Sequence, residues 1–177
     1  MILAICGLPG SGKTTLSQAL AARTGAEIIS WDEYETVTRM SPPQVRDWLA
    51  RGAPFEEVTA PGLAERLAAV RGVAIFDTLL GRAWPPAANL IDRAVWLDCP
   101  PDVALARKIR QFLPLAGPDW VENYLEAYVD IVAPSLALQR ARVPQMCDLA
   151  LKSAQDPDQM ANMLAQQLAL WLQASRN

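Results

Sequence analysis

The residues Gly7-Leu8-Pro9-Gly10-Ser11-Gly12-Lys13-Thr14 have the types and spacing to hold a chain of phosphates. The glycines let the main chain fold tightly, so that several N–H groups converge on one point. Lys13 adds a mobile ammonium for the outer phosphates, and Thr14 adds a hydroxyl for Mg²⁺. The spacing is that of a G-x-x-x-x-G-K-[ST] phosphate-binding loop. The expected nucleotide contacts are Gly7, Pro9, Gly10, Ser11, Gly12, Lys13, Thr14 and Thr15, with ATP and Mg²⁺ as the cofactors they would serve.

Two carboxylates extend that chemistry. Asp32 follows Ile28-Ile29-Ser30-Trp31. A carboxylate there can accept a hydrogen bond from a substrate hydroxyl and aim it at the γ-phosphate. Its ordinary pKa of about 3.9 makes it a weak base, but transfer through a loose transition state depends mostly on positioning. Ser30-x-x-Glu33 also reads as a capping box, which would put Asp32 in the first turn of a helix. Asp77 ends the run Val73-Ala74-Ile75-Phe76 and is the expected Mg²⁺ partner of Thr14. Asp98, after Ala94–Leu97, competes for that role. Cys99-Pro100-Pro101 leads straight into a helix start, however, whereas Thr78-Leu79-Leu80-Gly81-Arg82 adds polar groups beside Asp77.

Arg107 and Arg110 stand one turn apart on an expected helix, so two guanidinium groups could clamp a transferring phosphoryl group. A solvated basic face is the plainer alternative. Arg82 is a candidate substrate contact, as are Trp31 and Tyr34, which flank Asp32 and could stack on a base or sugar ring. Trp48 and Trp84 are further pocket candidates, while Trp96 and Trp171 read as packing.

These groups need strand ends to hold them. Strands and helices alternate along the chain, which implies an α/β fold with a parallel sheet. Strands are expected at Ile2–Cys6, Glu27–Ser30, Val73–Phe76, Arg93–Leu97 and Cys147–Leu151. Helices are expected at Thr14–Arg23, Gln44–Arg51 and Pro61–Arg71, and from Pro101 to about Phe112. Gly117-Pro118-Asp119 opens a further helix that Pro134 kinks or ends. Asp156-Pro157-Asp158-Gln159 caps the last one, whose stripe of Met160, Met163, Leu164, Leu168 and Trp171 reads as core. In an open parallel sheet, ligands bind at the carboxyl ends of the strands, where the loop and both carboxylates fall.

The bulk properties narrow the field. The 177 residues make one domain, 1–177, with an irregular substrate-side insert at about 36–60 that holds Pro42, Pro43 and Pro54. A net charge of −3 argues against nucleic-acid binding, and no apolar run is long enough for a membrane span. The start of the chain lacks the basic and apolar regions of a signal peptide. Cys6, Cys99 and Cys147 form neither a disulfide framework nor a zinc site, which points to a reducing cytoplasm. There is no histidine, so Ser-His-Asp, Cys-His and His-metal chemistry are out, and proton transfer falls to a carboxylate, Lys, Tyr or water.

Four stretches, Gly7–Thr14, Ile28–Tyr34, Arg93–Arg110 and Tyr124–Leu151, resemble the uridine kinase and phosphoribulokinase group of P-loop kinases. The resemblance implies a P-loop NTPase fold with a five-stranded parallel sheet, order 2-3-1-4-5, flanked by helices. It also implies that Asp32 is the hydroxyl-binding acid, that Arg107 is the first lid arginine, and that Asp148–Ser153 lies against adenine. The chain departs from the group in having Asp77-Thr78 where a Glu-Gly pair is usual, and in having no arginine in Gln111–Asp119. No substrate-side aromatic hairpin is recognisable in residues 36–60.

The sequence therefore implies a phosphotransferase that moves the γ-phosphate of ATP to a hydroxyl of a small molecule such as a nucleoside, sugar or vitamin. A nucleoside monophosphate kinase, or an antibiotic or toxin phosphotransferase, would be variants of that chemistry. The alternative is a nucleotide-dependent regulatory switch without transfer. An N-K-x-D guanine signature is missing, and length with missing signatures sets aside a large AAA or transporter ATPase. Acceptor identity and oligomeric state are not specified.

Overall fold

The computed structural model describes residues 1–174. Five strands form one parallel sheet in the order β2-β3-β1-β4-β5. They are β1 (Ile2–Gly7), β2 (Glu27–Ser30), β3 (Ala74–Thr78), β4 (Arg93–Asp98) and β5 (Leu149–Lys152). β1 lies at the centre, with Ile5 opposite Asp77 on β3 and Cys6 opposite Trp96 on β4. On the outer side of β3, Ser30 pairs with Asp77, which brings the ends of β2 and β3 together.

β1 is buried along its whole length, and its side chains divide between two cores. Leu3 and Ile5 pack with Leu16 and Leu20 of α1 (Lys13–Thr24) and with Met160, Leu164 and Leu168 of α7 (Pro157–Ala174). Ile2, Ala4 and Cys6 face the opposite way, toward a larger core that includes Trp31, Phe55, Leu63 and Trp84. This is the period-two alternation of a strand covered on both faces. The α7 stripe is core as the sequence implies, except that Met163 is exposed.

That larger core is roofed by α2 (Pro42–Ala50), α3 (Leu63–Ala68), α4 (Pro85–Ala88) and α6 (Ala133–Arg142). Residues 36–60 are more ordered than their prolines suggest. Ser41 and Gln44 form a capping box that starts α2, with Pro42 in the first turn. Gly52 and Ala53 then turn sharply, both with positive φ, and Arg142 of α6 donates to both carbonyls at 2.7 and 2.9 Å. A left-handed alanine costs about 1–2 kcal/mol, and the Arg142 fork fixes the turn in place. The same guanidinium lies 5.1 Å over the Phe55 ring.

α5 (Pro101–Ala127) is two helices in sequence, because Gly117 has φ 83 and ψ 175. Eight helical residues would separate Phe112 from Trp120 by about 12 Å, yet their rings stack at 4.7 Å. The chain therefore folds back at Gly117-Pro118, where the sequence places a new helix start. Pro134 cannot donate to the carbonyl one turn back, and the chain widens into a π-type turn at Tyr128–Val132 before α6 begins. Asp156 caps α7 by accepting from the amides of Asp158 and Gln159.

Two sequence expectations are corrected. Ser30 makes no side-chain cap, and Trp31–Glu33 is one 3₁₀ turn in place of a capped helix. β5 begins at Leu149 because Asp148 turns its carboxylate back to the Ala94 amide and the Arg82 guanidinium.

Candidate active site

The phosphate loop lies at the carboxyl end of β1, in the crevice between β3 and β4. Its last residue, Gly12, caps α1 with φ 98, makes no side-chain cap bond, and is followed by no acid in the first turn. The first amides of α1 are therefore left for an external anion, with the positive end of the helix dipole behind them. The Lys13 ammonium is buried and donates to the Leu8 carbonyl at 3.0 Å, so it folds back over the loop. Burial holds its pKa below the usual lysine value, opposed by the charges of Asp77 and Asp32. The Ser11 hydroxyl is buried and has no partner. An orphaned hydroxyl, uncapped amides and a desolvated ammonium converge on one place, and a polyphosphate would satisfy all three.

Gly10 is where the loop meets α5. It has φ +81, and a Cβ there would overlap the Ala104 carbonyl and touch the Lys108 amide. Only glycine fits both the turn and that approach.

The Thr14 hydroxyl donates to Asp77 Oδ2 at 2.6 Å. Asp77 is nearly buried, and desolvation raises its pKa against the pull of Lys13 and the Thr14 bond. One hydroxyl and one carboxylate are what Mg²⁺ takes from a protein when phosphate and water supply its other ligands. Asp98 stands elsewhere: its carboxylate accepts from Arg140 at 3.4 Å, and its carbonyl accepts from the Ser153 amide.

Asp32 is exposed above the loop, within electrostatic reach of Lys13, Asp77 and Lys108. Beside it opens a cavity of about 500 Å³ whose lining runs from Pro9 of the loop through Trp31 to Leu79 after β3. Arg107 reaches the other flank of the loop, donating at 3.4 Å to the carbonyls of Ser11 and Ser153. Lys13, Thr14, Asp77, Asp32 and Arg107 are thus gathered around one crevice. Thr15 is exposed at the start of α1.

Four expected contacts lie differently. Arg82 donates to the carbonyls of Ile91, Asp92 and Met146 and pairs with Asp148 at 2.8 Å. Those groups mark the amino ends of β4 and β5, so Arg82 is a clamp at the far end of the sheet from the phosphate loop. Arg110 is exposed and makes no hydrogen bond or ion pair among the described residues. Tyr34 packs against the large core and is not part of the cavity wall. Trp31 shows the cavity one edge only; its ring is 2% exposed and set edge-on against Trp84 at 5.2 Å. Trp48 lines the cavity, whereas Trp84 is buried and donates to the Val58 carbonyl at 2.8 Å.

Two residues at the site escape sequence reasoning. Lys108 lines the cavity, lies 4.0 Å over the Phe112 ring, and faces Asp32, whose charge opposes the lowering of its pKa by burial. The available signal was Ala104, small and one turn earlier on the same face, which marks the side of α5 turned to the loop. Gln139 is buried and donates to the carbonyls of Gly7 and Leu79 at 3.1 and 2.5 Å. It ties the phosphate loop to the loop after β3, and nothing in its sequence context announces that.

A family model described as AAA domain matches residues 2–111. No curated protein matches. Among solved structures, a putative fructose transport system kinase from Silicibacter sp. TM1040 is similar at a TM-score of 0.58 and 21% identity, covering 85% of this chain and 89% of that one. Shikimate kinase from Bacteroides thetaiotaomicron is similar at 0.56 and 18%, covering 96% and 98%. Shikimate kinase from Aquifex aeolicus vf5 is similar at 0.54 and 19%, covering 96% of each chain. At such identities the likeness concerns the fold. It extends to a wider set of P-loop kinases than the uridine kinase and phosphoribulokinase group. The sequence sets aside a large AAA ATPase; the matched segment, β1 to the first part of α5, is the nucleotide-binding core of the α/β P-loop NTPase fold. On that match, over more than half of its length, the chain belongs to the AAA domain family.

Proposed function

We propose that the protein is an ATP-dependent phosphotransferase acting on a hydroxyl of a small molecule, working in the cytoplasm as a single domain whose residues 36–60 form the substrate side. The observation that carries this reading is Asp32, within electrostatic reach of Lys13 of the phosphate loop and of Lys108, which lines a cavity together with Trp31, the residue before Asp32. A binding-only switch needs the loop; it has no need of a chamber next to a carboxylate.

In this reading the amides of Gly10 to Thr14 and the Lys13 ammonium bind the β- and γ-phosphates and hold the γ-phosphorus facing the cavity. Thr14 and Asp77 would hold Mg²⁺, which when bound neutralises charge on the phosphate oxygens. Asp32 accepts the hydrogen bond of the acceptor hydroxyl and fixes its line of approach. As the new O–P bond forms, the bond from the γ-phosphorus to the bridging oxygen breaks. ADP leaves with that oxygen, and the hydroxyl proton passes to Asp32. Lys108 and Arg107, on one side of α5, are placed to meet charge developing on the transferred group. Arg82, bound at the amino ends of β4 and β5, takes no part, and Arg110 is left exposed beyond Arg107 on the same helix, free among the described residues.

The test is incubation with Mg-ATP and pooled nucleosides, sugars, vitamins and antibiotics, read as ADP and a phosphorylated product. Asp32→Asn should lower transfer by about 10²–10⁴-fold while ATP affinity stays within about twofold. ADP release independent of any acceptor, or undiminished turnover by Asp32→Asn, would overturn the reading.

A further inference from the structure

Resting on that reading of the site, we infer that the phosphate acceptor is a neutral, largely apolar alcohol, and not a sugar, a sugar acid or a nucleotide. The cavity beside Asp32 has the volume of a site for a drug-sized molecule. One wall is Trp48, Phe55 and Val58 from the 36–60 segment. Another part of the lining is Trp120, Tyr124 and Ile131 from the folded-back arm that ends in α6. Trp120 and Tyr124 stack at 5.0 Å in a row that begins at Phe112, so the rings fix one another and add apolar surface to the lining.

Four polar groups of the lining are committed already, which leaves the Tyr124 hydroxyl and the Lys108 ammonium open among the described residues. Ser135 gives its proton to the Ile131 carbonyl, Thr38 gives its own to Glu35, and the Trp48 indole donates to Pro54. The Gln139 amide nitrogen is held by Gly7 and Leu79. A polyol buried here would leave several hydroxyls without partners, which costs affinity for each one. A carboxylate or second phosphate would need cations. Arg51 is held by Glu57 and Asp47, Arg142 by Gly52 and Ala53, Arg82 lies at the other end of the sheet, and Arg39, between Thr38 and Met40, is exposed and outside the lining. Lys108 is the charged residue of the lining, and it stands at the phosphate end facing Asp32. The charge therefore sits where a phosphoryl group moves, and the rest of the chamber is suited to hydrocarbon and rings.

The experiment uses the full chain with 6-phenylhexan-1-ol as the apolar probe and glucose, gluconate and uridine as polar ones. Binding is read by tryptophan fluorescence and calorimetry, and transfer by mass spectrometry after addition of Mg-ATP. The alcohol should bind saturably and give a phosphate ester, while the polar probes should do neither. Trp120→Ala should weaken alcohol binding by about tenfold or more and leave Mg-ATP affinity unchanged. Val37→Asp, on another part of the wall, should do the same by charging it. A phosphorylated sugar, sugar acid or nucleoside would overturn the acceptor class and leave the kinase reading standing. Failure of the alcohol to bind, or unaltered binding in both folded variants, would overturn it as well. Saturable alcohol binding with no ester from any probe would instead sink the transfer reading, and the acceptor claim with it.

Discussion

At the phosphate end, Lys13, Thr14 and Asp77 sit on or beside the ends of two neighbouring central strands, and their partners are main-chain groups or one another. At the cavity beside it, the chamber is walled by segments as far apart in the chain as Pro9 and Gln139, none of them joined to another by sheet pairing. The first region is polar, closely packed and shaped by the backbone; the second is roomy, apolar and shaped by whichever residues line it. Gripping a triphosphate leaves few geometric solutions, because donors must converge on fixed oxygens. Enclosing an apolar molecule leaves many, since apolar attraction has no direction. On the proposed reading, the acceptor would change with the lining while the transfer chemistry stays as it is.

If the two regions are separable, damage to one should spare the other. Lys13→Ala should lower phosphoryl transfer by about 10²–10³-fold, yet calorimetry should find alcohol binding intact; loss of both would break the distinction. Asp77→Asn should weaken Mg²⁺ binding by roughly 10–100-fold, read by titrating turnover with Mg²⁺. Because burial raises the Asp77 pKa, acid should weaken Mg²⁺ binding at a higher pH than for an ordinary carboxylate, and Asn should remove that dependence. Gly10→Ala should cost at least about 1–2 kcal/mol in denaturant unfolding, and more where the new Cβ meets Ala104. It should also weaken ATP binding without altering alcohol binding.

The smallest effect is expected on the chamber side. Glu57 is exposed, and the Arg51 guanidinium lowers its pKa. A depressed carboxylate contributes stability that is present above its unfolded pKa and lost as pH falls through its folded one. Glu57→Gln should therefore remove a small acid-side decline in stability, and high salt should mask the difference. A large loss of nucleotide affinity in that variant would show that the 36–60 segment reaches further into the phosphate end than its contacts indicate.

The same contrast decides what could be read from the chain. The phosphate loop, Asp32 and Asp77 are legible because a local motif or a strand end places them. The sheet order follows from the resemblance that those motifs carry. Arg82 misleads because its position after Gly81 suggests the carboxyl edge, whereas the turn runs down over the sheet and its guanidinium finds three carbonyls and Asp148 at the opposite end. Arg110 is exposed one turn from Arg107, whereas the face of α5 turned to the loop is set by Ala104 and carries Lys108. The chamber is illegible for a simpler reason: its walls meet only after the chain folds back at Gly117, and no local pattern announces which apolar side chains will leave a space between them.

The close approach of Gly10 to Ala104 also limits how the protein can move. With that carbonyl lodged against the loop, the opening turns of α5 behave as a fixed post and cannot rotate as a rigid lid. Any swing of the aromatic arm must be taken up at the Gly117 bend. On the proposed reading, a bound nucleotide would therefore rest against the stationary part of α5, and the aromatic arm beyond Gly117 would be the part left to adjust to an acceptor.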